Sequence, residues 1–166
     1  MPVHLEPASS SDAAELAALR TAVAERLTRE FGHGHWSSPV SEAAQSRMIQ
    51  QGGVFVARQR GRIVGTLRLA TRKPWAIDPA YFTDVSRPIY LTDMAVAIES
   101  QRRGIGRECM NEAAQIAREW DAGAIRLDAY DAPAGAGPFY AKCGLREVGR
   151  SVYRRNPLIY YEWLRT

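Results

Sequence analysis

Cysteine is nearly absent: Cys109 and Cys143 are the two in 166 residues. The disulfide frameworks that hold small secreted domains need more, so two thiols buried on separate elements are expected. Neither cysteine has a partner at CxxC spacing, which argues against a thiolate zinc site. Histidine is sparse too. His33 and His35 stand beside Trp36, and His4 is the one remaining imidazole, so the fourth ligand of a tetrahedral site is missing and no metal is expected. Of 22 basic residues, Lys73 and Lys142 alone are lysines. No stretch approaches the roughly 20 apolar residues that span a membrane. The opening MPVHLEPASS lacks the basic head and apolar run of a secretory signal. The expected setting is cytoplasmic, with no membrane partner.

What is present describes an ordinary globular chain. Hydrophobic residues make up 46% and charged residues 24%, enough apolar side chain for a core and too much for a long disordered protein. The length suits a single domain over 1–166. The net charge of +4 is carried by arginine, whose planar fork of donors suits phosphate. A small basic surplus fits a polyanionic small molecule as well as nucleic acid. With no Lys/Arg run and no zinc-finger spacing, nucleic acid is the weaker partner.

Apolar periodicity places the elements. Val3–Glu6 reads as a short strand. Asp12 followed by Glu15 has the form of an N-cap with its reciprocal partner, and Leu16, Leu19, Val23 and Leu27 predict an amphipathic helix over 12–30. FGHGHWSSP breaks it. A second helix starts near Ser41, carries Ala44, Met48 and Ile49 on one face, and ends at Gly52-Gly53. Val54–Arg58 and Ile63–Ala70 flank a hairpin turn. Residues 71–88, with three prolines, predict a long loop of the kind that carries function. Ile89–Ala97 is an apolar strand. The helix after it runs to about Trp120, with Ile105, Cys109, Ala113, Ile116 and Trp120 on its inner stripe. Ala124–Tyr130 is a strand, and a short helix spans 134–142. Leu145–Tyr153 and Leu158–Trp163 form a last hairpin around Arg155-Asn156-Pro157. The order β-α-α-β-β-β-α-β-α-β-β predicts an α/β (α+β) fold: a mixed, mostly antiparallel central sheet flanked by helices.

The chemistry concentrates at residues 101–106, Q-R-R-G-I-G, which open directly into a helix. Glycine lets the chain turn tightly, and the first amides of a helix lack internal acceptors while the helix dipole makes that end positive. Arg102, Arg103 and Arg107 add charge, so the turn is a candidate diphosphate cradle. The plainer alternative is a helix entry with solvated arginines. Further on stands Phe139-Tyr140-Ala141-Lys142-Cys143-Gly144-Leu145.

These two blocks together resemble the GNAT superfamily of acyl-CoA-dependent N-acyltransferases. Its loop pattern Q/R-x-x-G-x-G/A is met by Gln101, Gly104 and Gly106. Its later pattern F-Y-x-K-x-G-F is met at Phe139, Tyr140, Lys142 and Gly144, with Leu145 in place of the aromatic. The resemblance is strong over 89–150. It implies that Gln101, Arg102, Arg103, Gly104, Ile105, Gly106 and Arg107 form the pyrophosphate loop of acetyl-CoA. It also implies that Met94, Ala95 and Val96 pair through their backbone with the pantetheine arm as an added strand does, on a strand that often carries a bulge. Tyr140 then lies near the sulfur and protonates the departing thiolate. Many relatives have asparagine where this chain has Pro133.

The implied reaction is attack by an amine on the acetyl carbonyl. An alkylamine of pKa ~10.4 is neutral at pH 7 in about one molecule per 10³ to 10⁴, so supplying the neutral form offsets roughly 4 to 5 kcal/mol unless a base takes the proton. The thiol, at ~8.5, needs milder help, which a phenol at ~10 can give. Asp93 on the implied thioester strand is the candidate base, against the alternative of a carboxylate paired with an arginine. Asp84 lies in the preceding loop. Asp128 reads as a packing residue or an arginine's partner. Trp36, Trp75 and Asp84 are the candidate acceptor residues, in loops 31–40 and 71–88. Tyr153, Tyr160, Tyr161 and Trp163 alternate along the last hairpin, so some are expected to be exposed, as at a homodimer surface or a pocket rim.

The sequence therefore points to an N-acetyltransferase acting on a small-molecule or peptide amine. The alternatives are a non-catalytic CoA-binding module and a dinucleotide-binding enzyme. Against the last, Cys109 occupies the third glycine position of G-x-G-x-x-G, and Glu99–Arg103 separate the strand from the first glycine.

Overall fold

Burial follows the apolar periodicity closely in a computed structural model that describes residues 2–166. The elements are β1 (Leu5–Pro7), α1 (Ala13–Phe31), α2 (Glu42–Gln51), β2 (Val54–Gln59), β3 (Arg62–Ala70), β4 (Pro88–Val96), α3 (Ile105–Glu119), β5 (Ala124–Tyr130), α4 (Gly137–Lys142), β6 (Arg146–Tyr153) and β7 (Asn156–Leu164). Their order is the one the sequence predicts. Backbone pairing makes a seven-stranded sheet in the order β1-β2-β3-β4-β5-β7-β6. The β1/β2, β2/β3, β5/β7 and β6/β7 ladders are antiparallel, and β4/β5 is parallel. Among the described residues no helix is long and apolar enough to cross a membrane.

The chain packs as two compact units. One holds the residues up to Leu69 with Thr92–Glu112; the other holds Ala70–Leu91 with Ala113–Thr166. In the first, Leu16 and Leu19 of α1 meet Val54, Val56, Ile63 and Ala97, with Val23, Met48 and Ile49 packed alongside. Each fully buried leucine, isoleucine or valine among them contributes roughly 1.5–3 kcal/mol. Ser41 caps α2 by accepting from the Ala44 N–H at 3.1 Å. The β2–β3 turn puts Arg60 at φ +51° and Gly61 at φ +76°, the paired left-handed residues of a tight hairpin.

The cap of α1 differs from expectation. Asp12 closes a short 3₁₀ turn, Ser10–Asp12, and accepts from the Ser9 N–H at 2.8 Å. Its other oxygen takes Arg58 Nη2 at 2.6 Å. Glu15 turns away and accepts from the Ile63 N–H at 2.8 Å. The reciprocal cap thus lies one turn earlier, between Ser9 and Asp12, and Glu15 is taken by the β3 amide.

In the second unit, Ile77, Phe82, Tyr90 and Tyr160 form a core with Val148 against it. Strand β7 lies between β5 and β6, and Leu158 through Glu162 are all buried. Successive strand residues face opposite sides, so both faces are covered. Tyr160 and Tyr161 are therefore interior, 1% and 5% exposed, rather than alternating in and out. Tyr153 and Trp163 are half-buried, and Arg118 lies over the Trp163 ring at 5.2 Å. Trp120 also departs from expectation. It lies just past α3 and is 40% exposed, while Ala114 and Ala117 fill the inner stripe. The hairpin turn falls at Arg154-Arg155, φ +49° and +69°, not at Arg155–Pro157. Helix α4 begins not near 134 but at Gly137, where a Cβ would lie 2.7 Å from the Tyr161 hydroxyl. Neither cysteine is in a disulfide; Cys109 is buried and Cys143 half-buried.

Candidate active site

In the first unit the implied cofactor residues form a continuous path. Met94, Ala95 and Val96 are half-buried at the end of β4. Asp93, just before them, has φ +56°. A left-handed residue inside a strand turns the following peptide out of regular pairing, as a bulge does. After β4, a 3₁₀ turn at Ile98–Ser100 leads to Gln101, whose Nε2 donates back to the Val96 carbonyl at 3.0 Å. The loop glutamine therefore ties the turn to the strand. Arg102 is left-handed at φ +62° and Gly104 at φ +82°. Ile105 is buried and anchors the first turn of α3, whose first bond runs from the Glu108 N–H to the Gly104 carbonyl at 3.0 Å. The amides of Ile105 and Gly106 precede that bond. Arg102, Arg103 and Arg107 are exposed around it. Main-chain donors, a helix start and three guanidiniums are a donor set that fits a diphosphate.

Asp93 does not stand alone. Arg20 of α1 donates through Nη2 to Asp93 Oδ1 at 2.9 Å, and through Nη1 to Gln45 Oε1 of α2 at 3.3 Å. Neither Arg20 nor Gln45 stands out in the motifs. A signal was present: Arg20 sits among Leu16, Leu19 and Val23 on the apolar stripe, and Gln45 shares the α2 face of Met48 and Ile49. Trp36 folds back on its own loop, its Nε1 donating to the Gly32 carbonyl at 2.9 Å, with His33 and His35 exposed beside it.

The second unit holds the remaining candidates. Tyr140 of α4 is buried and packs edge-on against Phe139 and tilted against Tyr161. Burial, then the charges of Asp128 and Cys143, push its phenol well above the usual tyrosine range, so it keeps its proton through neutral pH. Trp75 is 81% exposed, and Asp84 is exposed in the same connection. That connection is an ordered loop. Lys73 Nζ donates to the Pro74 and Ile77 carbonyls at 2.9 Å each, and the Tyr160 hydroxyl donates to the Ala76 carbonyl at 2.5 Å.

The acetyltransferase (GNAT) family pattern matches residues 20–145. The chain belongs to the GNAT acetyltransferase family. The GNAT chain matches none of the curated proteins. Its fold is similar to a GNAT-family acetyltransferase from Listeria monocytogenes, with 18% identity, a TM-score of 0.76 and coverage of 98% of this chain and 95% of that one. A ribosomal-protein-alanine N-acetyltransferase from Brucella melitensis gives 19% identity and a TM-score of 0.73, over 97% and 99% of the two chains. The putative acetyltransferase yncA from Salmonella typhimurium, solved with its cofactor acetyl-CoA, gives 12% and 0.70 over 99% and 94%.

Proposed function

We propose that this GNAT protein transfers an acetyl group from acetyl-CoA to an amine by direct attack within a ternary complex. The observation that carries the reading is the turn from Gln101 to Arg107, in which left-handed Arg102 and Gly104 open α3 among exposed arginines. Acetyl-CoA supplies the activated acyl group. The loop from Gln101 to Arg107 holds the diphosphate through main-chain donors and guanidiniums, and the backbone of Met94–Val96 takes the extended arm. An amide at Met94–Ala95 facing the thioester oxygen stabilises developing negative charge, a contribution of about 3 kcal/mol in comparable sites.

Tyr140 holds a proton at its hydroxyl for the departing sulfur. The dryness that raises a phenol also raises the basicity of a thiolate, so the transfer stays matched. Asp93, paired with Arg20 through Oδ1, receives the acceptor's proton at its other oxygen, directly or through water. The acceptor is a small-molecule or peptide amine, met by the loops carrying Trp36, Trp75 and Asp84.

The test is to titrate the purified protein with acetyl-CoA by calorimetry and to measure CoA release across a panel of amines. Saturable binding with amine-dependent release is the expected outcome. Binding without release for any amine identifies a CoA-binding module instead, and no binding overturns the reading.

A further inference from the structure

Asp93 occupies a conformation that few non-glycine residues adopt, φ +56°, in the middle of a strand. What surrounds it is specific. The Arg20 guanidinium, on a side chain 17% exposed, reaches Asp93 Oδ1 at 2.9 Å. The other arm of the same guanidinium meets Gln45, which is 1% exposed. Helix α1 thus reaches the left-handed residue of β4 directly, and α2 reaches it through Arg20. The next residues, Met94–Val96, end where Gln101 donates to the Val96 carbonyl. This three-residue segment is fastened at both ends, by Arg20 through Asp93 on one side and by Gln101 on the other.

Stability alone does not account for an arginine on this face. Its neighbours on the stripe are Leu16, Leu19 and Val23. A part-buried ion pair contributes little more than a well-packed apolar side chain of similar volume would, because both charges lose water. What the pair adds is a fixed geometry at Asp93.

We infer that Arg20, steadied by Gln45, is a positioning residue: through Asp93 it holds β4 in its left-handed kink and so fixes the Met94–Val96 edge for the acyl donor. This rests on the proposed use of acetyl-CoA and adds to it a residue outside the family motifs. Arg20 itself touches neither donor nor acceptor in this scheme.

Two readouts test it, backbone hydrogen exchange of Met94–Val96 in the ligand-free protein and acetyl-CoA affinity by calorimetry. Arg20→Met is expected to speed exchange at these residues and weaken acetyl-CoA by about tenfold, the scale of strain a left-handed residue stores. Arg20→Lys is expected to retain most of the affinity. Adding Asp93→Gly to Arg20→Met is expected to recover most of the lost affinity, because glycine adopts positive φ without a clamp. A merely structural role would lower the melting temperature and speed exchange throughout the unit, with no rescue by glycine.

Unchanged exchange and affinity in Arg20→Met overturn the inference, as does a double variant no better than the single one. A wild-type protein that binds no acetyl-CoA overturns the functional reading instead, a result read before any variant is made.

Discussion

The Thr83 N–H donates to Glu162 Oε1 at 2.9 Å, and the Thr83 carbonyl accepts from Arg126 Nη2 at 2.9 Å. Its hydroxyl is engaged as well, by Arg146 Nη2 at 2.9 Å, and the same nitrogen lies 3.3 Å from Glu162 Oε2. Glu162 and Arg126 are 2% and 6% exposed and sit opposite each other in the β5/β7 ladder. Arg126 also reaches the Tyr90 hydroxyl at 3.2 Å and stacks over Phe82 at 5.2 Å. One residue of the long connection is thus fastened through all its polar groups.

Removing the carboxylate should therefore loosen the loop as well as the fold. Glu162→Ala leaves the Thr83 amide without its acceptor and takes from Arg146 its carboxylate partner, and an unmade buried hydrogen bond costs about 1–3 kcal/mol. Urea denaturation measures the loss, and limited proteolysis within 71–82 reports the loosening. Glu162→Gln keeps an acceptor for Thr83 and should lie between the two. Equal stability for wild type and Glu162→Ala would show that the cluster carries no weight.

That cluster also marks where sequence reading stops. Helix α3 was legible because its apolar residues recur at helical steps and its start is fixed by a glycine turn. The parallel β4/β5 connection followed from the intervening helix. Strand β7 departs from its expected alternation because alternation signals a half-covered strand, whereas a central strand is covered on both faces and shows no period. The cap at Asp12 differs because Arg58 and the Ile63 amide come from strands remote in sequence. In the candidate site, the cofactor loop was legible, since local turn geometry demands glycine. Arg20 and Gln45 were not, because nothing in a helical stripe says which distant side chain a polar residue will meet.

Tyr140 gives both a kinetic and an alkaline-stability prediction. Tyr140→Phe should leave acetyl-CoA affinity intact and lower turnover by about 10²-fold, within the usual range for loss of a general acid. The phenol is raised in the folded state, chiefly by burial. Its contribution to stability is then complete below the unfolded tyrosine pKa of about 10 and is lost as pH rises beyond it. Melting curves from pH 8 upward should fall more steeply for wild type than for Tyr140→Phe. Parallel curves would mean that Tyr140 ionises as freely folded as unfolded.

The two thiols should separate cleanly in labelling. Burial, followed by the charges of Glu108 and Glu112, pushes Cys109 up to about 12. At pH 7 that leaves about one thiolate in 10⁵, and the thiolate is the reactive form. Cys143 is half-buried at the end of α4. Iodoacetamide should therefore modify Cys143 in the native protein and reach Cys109 only on unfolding, as peptide mass mapping would show. Native modification of Cys109 at a rate matching Cys143 would contradict the packing of α3.

Gly104 separates binding from folding most directly. Its φ of +82° disfavours ordinary side chains on conformational grounds, yet a Cβ built there meets nothing within 4 Å. Gly104→Ala should therefore cost only about 1–2 kcal/mol, the left-handed penalty of a single residue. Gly104→Glu adds a negative charge at the entrance to α3, where the helix dipole and Arg102, Arg103 and Arg107 otherwise favour an anion. Its carboxylate can occupy the place of a phosphate and repels the others. Melting temperatures for the two variants should agree closely, while acetyl-CoA affinity should fall modestly in Gly104→Ala and by at least about 10²-fold in Gly104→Glu, equivalent to roughly 3 kcal/mol. Equal acetyl-CoA affinity in the two variants would place the diphosphate somewhere other than this turn, since only a ligand seated there can feel the charge.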